Sequence, residues 1–132
     1  MKNLIFTILI SSLFLNVYCQ TSEEFYKSAG VKMHDLRDYP GAIRDFDNAI
    51  ALNPKYDWSY LGRGIAKNPN KEYWAAMADY DTAIMLNPEF AESYCGRGNS
   101  EGRLNENKKA MEDFNRAIEI DPKYPEAYLG RV

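Results

Sequence analysis

Ala49-Ile50-Ala51-Leu52-Asn53-Pro54, Ala83-Ile84-Met85-Leu86-Asn87-Pro88 and Ala117-Ile118-Glu119-Ile120-Asp121-Pro122 are three versions of one phrase, and their prolines stand 34 residues apart. Working outward, the same period holds without a gap. Tyr26, Tyr60, Tyr94 and Tyr128 share a column, as do Gly30, Gly64 and Gly98. Ala42, Ala76 and Ala110 follow, then Phe46, Tyr80 and Phe114, then Ala49, Ala83 and Ala117. Repeats therefore occupy 23–56, 57–90 and 91–124, and 125–132 begins a fourth. A fixed period of this length marks an array of supersecondary units that bury their cores against one another.

Within each repeat the small and aromatic residues fall at helical spacings, Tyr26/Gly30 in the first half and Ala42/Phe46/Ala49/Ile50 in the second. That predicts two amphipathic helices per repeat, with Gly and Ala where helix backbones come close. Breakers separate them. Asp38 is placed to cap a helix entered through Tyr39 and Pro40. Asn105 supplies the turn in the third repeat. Each Asn/Asp-Pro pair ends a second helix, because a residue before proline avoids the helical region. The expected helices are 23–36, 40–52, 57–67, 72–86, 91–103 and 107–120. Pro69 should stop the second repeat's first helix early, leaving Asn68-Pro69-Asn70 as a loop.

The order aromatic, Gly, loop, Tyr, Ala, aromatic, Ala, Pro over 34 residues resembles the tetratricopeptide repeat, across all of 23–124. The resemblance implies an all-α fold: a right-handed superhelical α-solenoid of antiparallel helix pairs, three full repeats plus a partial fourth. There are departures. The Leu usual before the Gly is Ala29, Arg63 and Arg97, and the aromatic usual later in the first helix is Met33, Lys67 and Glu101. Asn107 replaces the aromatic of Tyr39 and Tyr73.

Residues 1–19 are expected to be a secretory signal peptide and 20–132 the repeat domain. Lys2 supplies the positive start, Leu4 to Val17 is mostly apolar, and Val17-Tyr18-Cys19 offers a cleavage site. The run is short for a membrane span. An uncleaved anchor and lipidation at Cys19 are alternatives, although Tyr18 is bulky for the latter. The location implied is secreted or periplasmic, with no membrane span after cleavage. Cys95 would then be the one remaining thiol, so no internal disulfide could form. The formal net charge is −3, which lacks the basic footprint of a nucleic-acid binder.

Catalytic and metal readings fail on spacing. The single His34 has no partner Cys. Gly96 to Gly102 is glycine-rich but follows a helix start and lacks phosphate-loop spacing. Asp45-Phe46-Asp47-Asn48 lacks the Gly that turns a calcium loop. The expectation is no enzyme, no cofactor and no metal. Function then falls to surface recognition on the concave face. In the family that face is lined by first helices and holds an extended peptide or a partner helix. The groove columns carry over to Glu24, Lys27, Ser28, Val31 and His34, to Trp58, Leu61, Gly62 and Ile65, and to Glu92, Cys95, Gly96, Asn99 and Arg103. Gly62 and Gly96 either leave room for a ligand backbone or let helices pack.

The family's carboxylate clamp, built of Lys, Asn, Asn, Lys and Arg, falls on Lys27, Val31, Gly62, Glu92 and Gly96. Only Lys27 matches and Glu92 has the opposite charge, so that mode is rejected. A protein or peptide partner in a cell-envelope scaffold is one expectation. A truncated sensory or targeting module of a larger enzyme or signalling protein is the other. The face around Phe114, Ala117 and Ile118, covered only by the stub, predicts marginal stability or self-association through that end. Arg63, Arg97 and Arg131 need carboxylates if buried. Pairing Asp45–Arg63, Asp79–Arg97 and Asp113–Arg131 leaves nothing over, whereas pairing within repeats, Arg63–Asp79 and Arg97–Asp113, strands Arg131. The expectation is therefore the inter-repeat ladder.

Overall fold

The computed structural model describes residues 20–132. The expected signal segment, including Cys19, lies outside them. The described chain is helical: α1 Ser22–His34, α2 Tyr39–Leu52, α3 Asp57–Lys67, α4 Tyr73–Leu86, α5 Ala91–Arg103, α6 Asn107–Ile120 and α7 Pro125–Gly130. The expected boundaries agree to within two residues at each end. Pro69 acts as foreseen: α3 gives way to a single 3-10 turn, Asn68–Asn70.

Local chemistry sets the punctuation. Thr21 and Glu24 form a capping box at α1, and the Asp38 carboxylate accepts the Gly41 amide at the start of α2. Arg37, Lys71 and Asn105, one per repeat, take the left-handed conformation that turns the first helix into the second. After each second helix, Asn53, Asn87 and Asp121 accept the amides of Lys55, Glu89 and Lys123, closing an Asx turn around the proline. The tyrosine column then pins that turn. Tyr60, Tyr94 and Tyr128 donate to the carbonyls of Pro54, Pro88 and Pro122 at 3.0, 3.2 and 3.0 Å.

The core repeats as well. Phe46, Tyr80 and Phe114 are buried between alanine pairs, Ala42/Ala49, Ala76/Ala83 and Ala110/Ala117. Each ring fills the space beside a glycine of the next first helix. A Cβ on Gly62 would lie 2.4 Å from Phe46, one on Gly96 2.7 Å from Tyr80, and one on Gly130 2.4 Å from Phe114. Only Gly fits there, and its helix cost of about 1 kcal/mol is offset by the close packing it permits. Phe114 and Ala117 are thus covered, α7 supplying both Gly130 and the buried Ala127.

First helices of successive repeats touch (α1–α3, α3–α5, α5–α7), and each second helix packs on the first helix of its own and of the next repeat. The first helices therefore form one wall of the array. Among the described residues, no helix is long and apolar enough to cross a membrane.

Candidate peptide-binding groove

Clefts open along the wall of first helices, one of about 480 Å³ between α5 and α7, lined by Asn99, Arg103, Asn107, Phe114 and Gly130 among others, and two between complete repeats. The first of these two, of about 320 Å³, lies between repeats one and two and is lined by Tyr26, Lys27, Gly30, Met33, His34, Phe46, Trp58, Leu61, Gly62 and Ile65. The second, of about 510 Å³, lies between repeats two and three and is lined by Ile65, Asn68, Pro69, Tyr73, Asn99 and Arg103. Ile65 borders both, so they form one track with an apolar centre.

The sequence-derived residues divide accordingly. Lys27, His34, Trp58, Leu61, Gly62 and Ile65 gather around the first cleft, Asn99 and Arg103 around the second. Trp58 and Ile65 are each 41% exposed, whereas Leu61 is buried at 5% and forms the floor. Trp58 is held from behind by Phe90, ring centroids 4.7 Å apart. Lys27 is already paired with Glu23 at 2.8 Å. Val31 is exposed but borders neither cleft, and neither does the half-buried Glu92. Cys95 belongs to the core, where burial, with Glu126 and Glu92 nearby, pushes its thiol up to about 11.

Of the two readings of the glycines, packing holds. Gly62 and Gly96 do not hold space for a ligand backbone, because the Phe46 and Tyr80 rings occupy that space. Gly30, which lines the first cleft, is open, with nothing within 4 Å of where its Cβ would stand, and Gly102 is open likewise. Sequence reasoning also missed Tyr73. It reaches the second cleft from the start of α4, a second helix, and the groove columns were drawn from first helices alone. Pro69 was read as a helix breaker only, yet it lines the same cleft.

The charge ladder is corrected. Arg63 meets Asp79 of its own repeat, with Nη2–Oδ1 at 2.6 Å and Nε–Oδ2 at 3.0 Å, and Arg97 meets Asp113 with Nε–Oδ2 at 2.7 Å. Their remaining nitrogens cross to the preceding repeat, but to Asp47 and Asp81, both at 2.6 Å. The expected Asp45–Arg63, Asp79–Arg97 and Asp113–Arg131 pairs do not form. Asp45 turns into its own repeat and takes Lys32 at 2.7 Å and the Ser28 hydroxyl at 2.6 Å. Each guanidinium thus forks between an inner and an outer carboxylate, which ties neighbouring repeats together. For Arg63, burial opposes the charge and the two carboxylates outweigh it, so its pKa is raised. Lys67 adds a second cation to Asp79 at 2.7 Å.

Stacked helix pairs in a 34-residue register, with first helices forming one wall, make this an α-solenoid. Residues 91–124 match the profile of the tetratricopeptide repeat. Two further segments share its register and fold, so the described chain is built as an array of tetratricopeptide-type repeats. Its fold is similar to that of the Arabidopsis OM64 TPR domain (TM-score 0.81, 22% identity, over 83% of this chain and 90% of that one). It is also similar to the first TPR of Spaghetti (RPAP3) bound to the HSP90 peptide SRMEEVD (TM-score 0.81, 21% identity, 85% and 88%). A third similar structure is MamA (TM-score 0.80, 25% identity, 91% and 70%). At this identity the likeness concerns the fold. A comparison with curated proteins gave no match.

Proposed function

We propose that the protein is an exported, non-catalytic interaction scaffold that holds an extended peptide or a partner helix along α1, α3 and α5. The observation that carries this reading is the pair of clefts meeting at Ile65, with Trp58 and Ile65 offering apolar surface and Asn99 and Arg103 offering polar contacts one helical turn apart. An apolar anchor beside oriented polar groups is the usual make-up of a recognition site. The structural neighbour bound to the HSP90 peptide SRMEEVD supports the mode, a peptide held by a TPR domain. It does not extend to the same ligand. At the clamp positions this chain carries Val31, Gly62, Glu92 and Gly96, and Glu92 would repel a carboxylate. Export rests on the charge and hydropathy of residues 1–19. N-terminal sequencing of secreted material should begin at Gln20.

The test is selection from a displayed peptide library on residues 20–132, followed by titration of the selected peptides against variants. Removing an aromatic anchor costs about 2 kcal/mol or more of binding, roughly 30-fold or more in Kd. Trp58→Ala should show that loss while the helical circular dichroism stays unchanged. Selected peptides that bind Trp58→Ala and Arg103→Ala as tightly as the parent would rule out this groove.

A further inference from the structure

The third repeat contains a carboxylate that the groove and the ion-pair forks leave unexplained. Glu101 is 5% exposed, and its Oε2 atom is buried with no hydrogen-bond partner among the described residues. Its column explains the oddity. In the second repeat the same position is Lys67, whose Nζ lies 2.7 Å from Asp79. In the first it is Met33, and Lys32 beside it serves Asp45. Asp113 is the third repeat's counterpart of Asp79, so where repeat two sets a cation beside that carboxylate, repeat three sets a second acid.

The surroundings do not neutralise it. On its own helix it faces Arg97, which is committed to Asp113 and Asp81. From α6 it faces Asp113 and Lys109, and from the turn Glu106, which Lys109 already holds at 2.8 Å. Burial, and then Asp113, push the Glu101 carboxyl up to about 7. The same residue also holds the turn. Its carbonyl accepts the amides of Leu104 and Glu106 at 3.0 and 2.9 Å, around the left-handed Asn105.

We infer that Glu101 is a proton-operated latch on the α5–α6 turn. Neutral, it stays packed beneath the turn. Ionised, it is drawn to water and opens the turn, moving Arg103 and with it one wall of the second cleft. The sign follows from linkage. The closed state keeps its proton up to about pH 7, whereas the opened state releases it near the ordinary value of 4.5. Protection of the turn is therefore full below 4.5, falls as pH rises through this window, and levels off above 7.

The experiment is amide hydrogen exchange of Leu104 to Glu106 between pH 4.5 and 8.5, corrected for intrinsic rates, in the parent, Glu101→Gln and Glu101→Lys. The parent should lose protection on the order of 100-fold across the window. Glu101→Gln mimics the neutral acid and should stay protected throughout. Glu101→Lys should pair with Asp113 as Lys67 does with Asp79 and also stay protected. A parent with constant protection, or variants that lose it in parallel with the parent, would overturn the latch. Should the variants fail to fold, the parent decides: a Glu101 carboxyl carbon midpoint near 7 with loss of turn protection over the same window upholds the inference, and a midpoint near 4.5 or constant protection overturns it.

Discussion

Replacing Asp79 by alanine tests whether the guanidinium forks hold the array together. The Asp79 side chain is 6% exposed and accepts from two cations, Arg63 (21% exposed) and Lys67 (15% exposed). Asp79→Ala strands both. Breaking a fully buried pair by removing one partner costs about 3–5 kcal/mol. Here the cations keep some water and Arg63 keeps Asp47, so the expected cost is lower, about 2–3 kcal/mol. Asp81 is the matched control on the same helix. It also pairs with an arginine, but it is 58% exposed, and surface pairs contribute about 0–1 kcal/mol. Urea denaturation followed by circular dichroism separates the two. With an m value of about 1–3 kcal/mol/M, Asp79→Ala should lower the midpoint by about 1–2 M and Asp81→Ala by well under half of that. Replacing Arg63, Lys67 and Asp79 together by apolar residues of similar volume should recover much of the loss, because the stranded charge is what destabilises. Equal shifts for Asp79→Ala and Asp81→Ala would refute the assignment of inner and outer carboxylates.

Three further outcomes follow from packing. Gly62→Ala drives a methyl into Phe46 and should cost about 1–3 kcal/mol, whereas Gly30→Ala meets open space and should gain up to about 1 kcal/mol of helix propensity; thermal melts with shifts of the same sign would contradict this. Cys95, buried and with its thiol pushed up to about 11, should resist alkylation at pH 8 in the native protein and react in urea; rapid native labelling would place it on the surface. Deleting 125–132 uncovers Phe114, whose burial is worth about 1.5–3 kcal/mol, so the shortened chain should melt lower and associate in sedimentation velocity; unchanged melting and a monomeric boundary would show that α7 contributes nothing.

Much of this architecture was legible because a strict period exposes every position three times. Helix ends could be read from Asp38, Pro69 and the Asn/Asp-Pro pairs, since each acts through its own backbone. The charge pairs were not legible for a geometric reason. Asp45 recurs as Asp79 and Asp113, whereas Asp47 recurs as Asp81 and then gives way to Asn115, so counting aspartates against arginines favours the Asp45 column for the contact between repeats, and the structure uses the other. Two residues along a helix turn the side chain by about 200°, so one carboxylate faces inward and the other faces the next repeat. Bookkeeping by column cannot tell which is which. Tyr73 escaped because the groove columns come from first helices alone, although the column of Tyr39, Tyr73 and Asn107 puts the start of a second helix against a cleft in both the second and the third repeat.

The glycines show most clearly where a repeat's sequence stops specifying its physics. Gly30, Gly64 and Gly98 are one column, yet they do different things. A Cβ on Gly64 or Gly98 would stand 2.7 or 3.1 Å from the Tyr80 or Phe114 ring, while one on Gly30 would meet no ring. Tyr80 and Phe114 each meet the glycine of their own repeat as well as that of the next, whereas Phe46 meets Gly62 alone and tilts against Tyr26 at a centroid distance of 5.8 Å. The space left at Gly30 is part of the first cleft. In the first repeat the position corresponding to Gly62 is Ser28, which needs no bare backbone because no ring among the described residues precedes α1, and its hydroxyl is used on Asp45. The open space is thus particular to the first repeat, whose ring reaches the glycine of its successor and not its own. The opening falls where a glycine has a ring ahead of it in sequence but not against it in space.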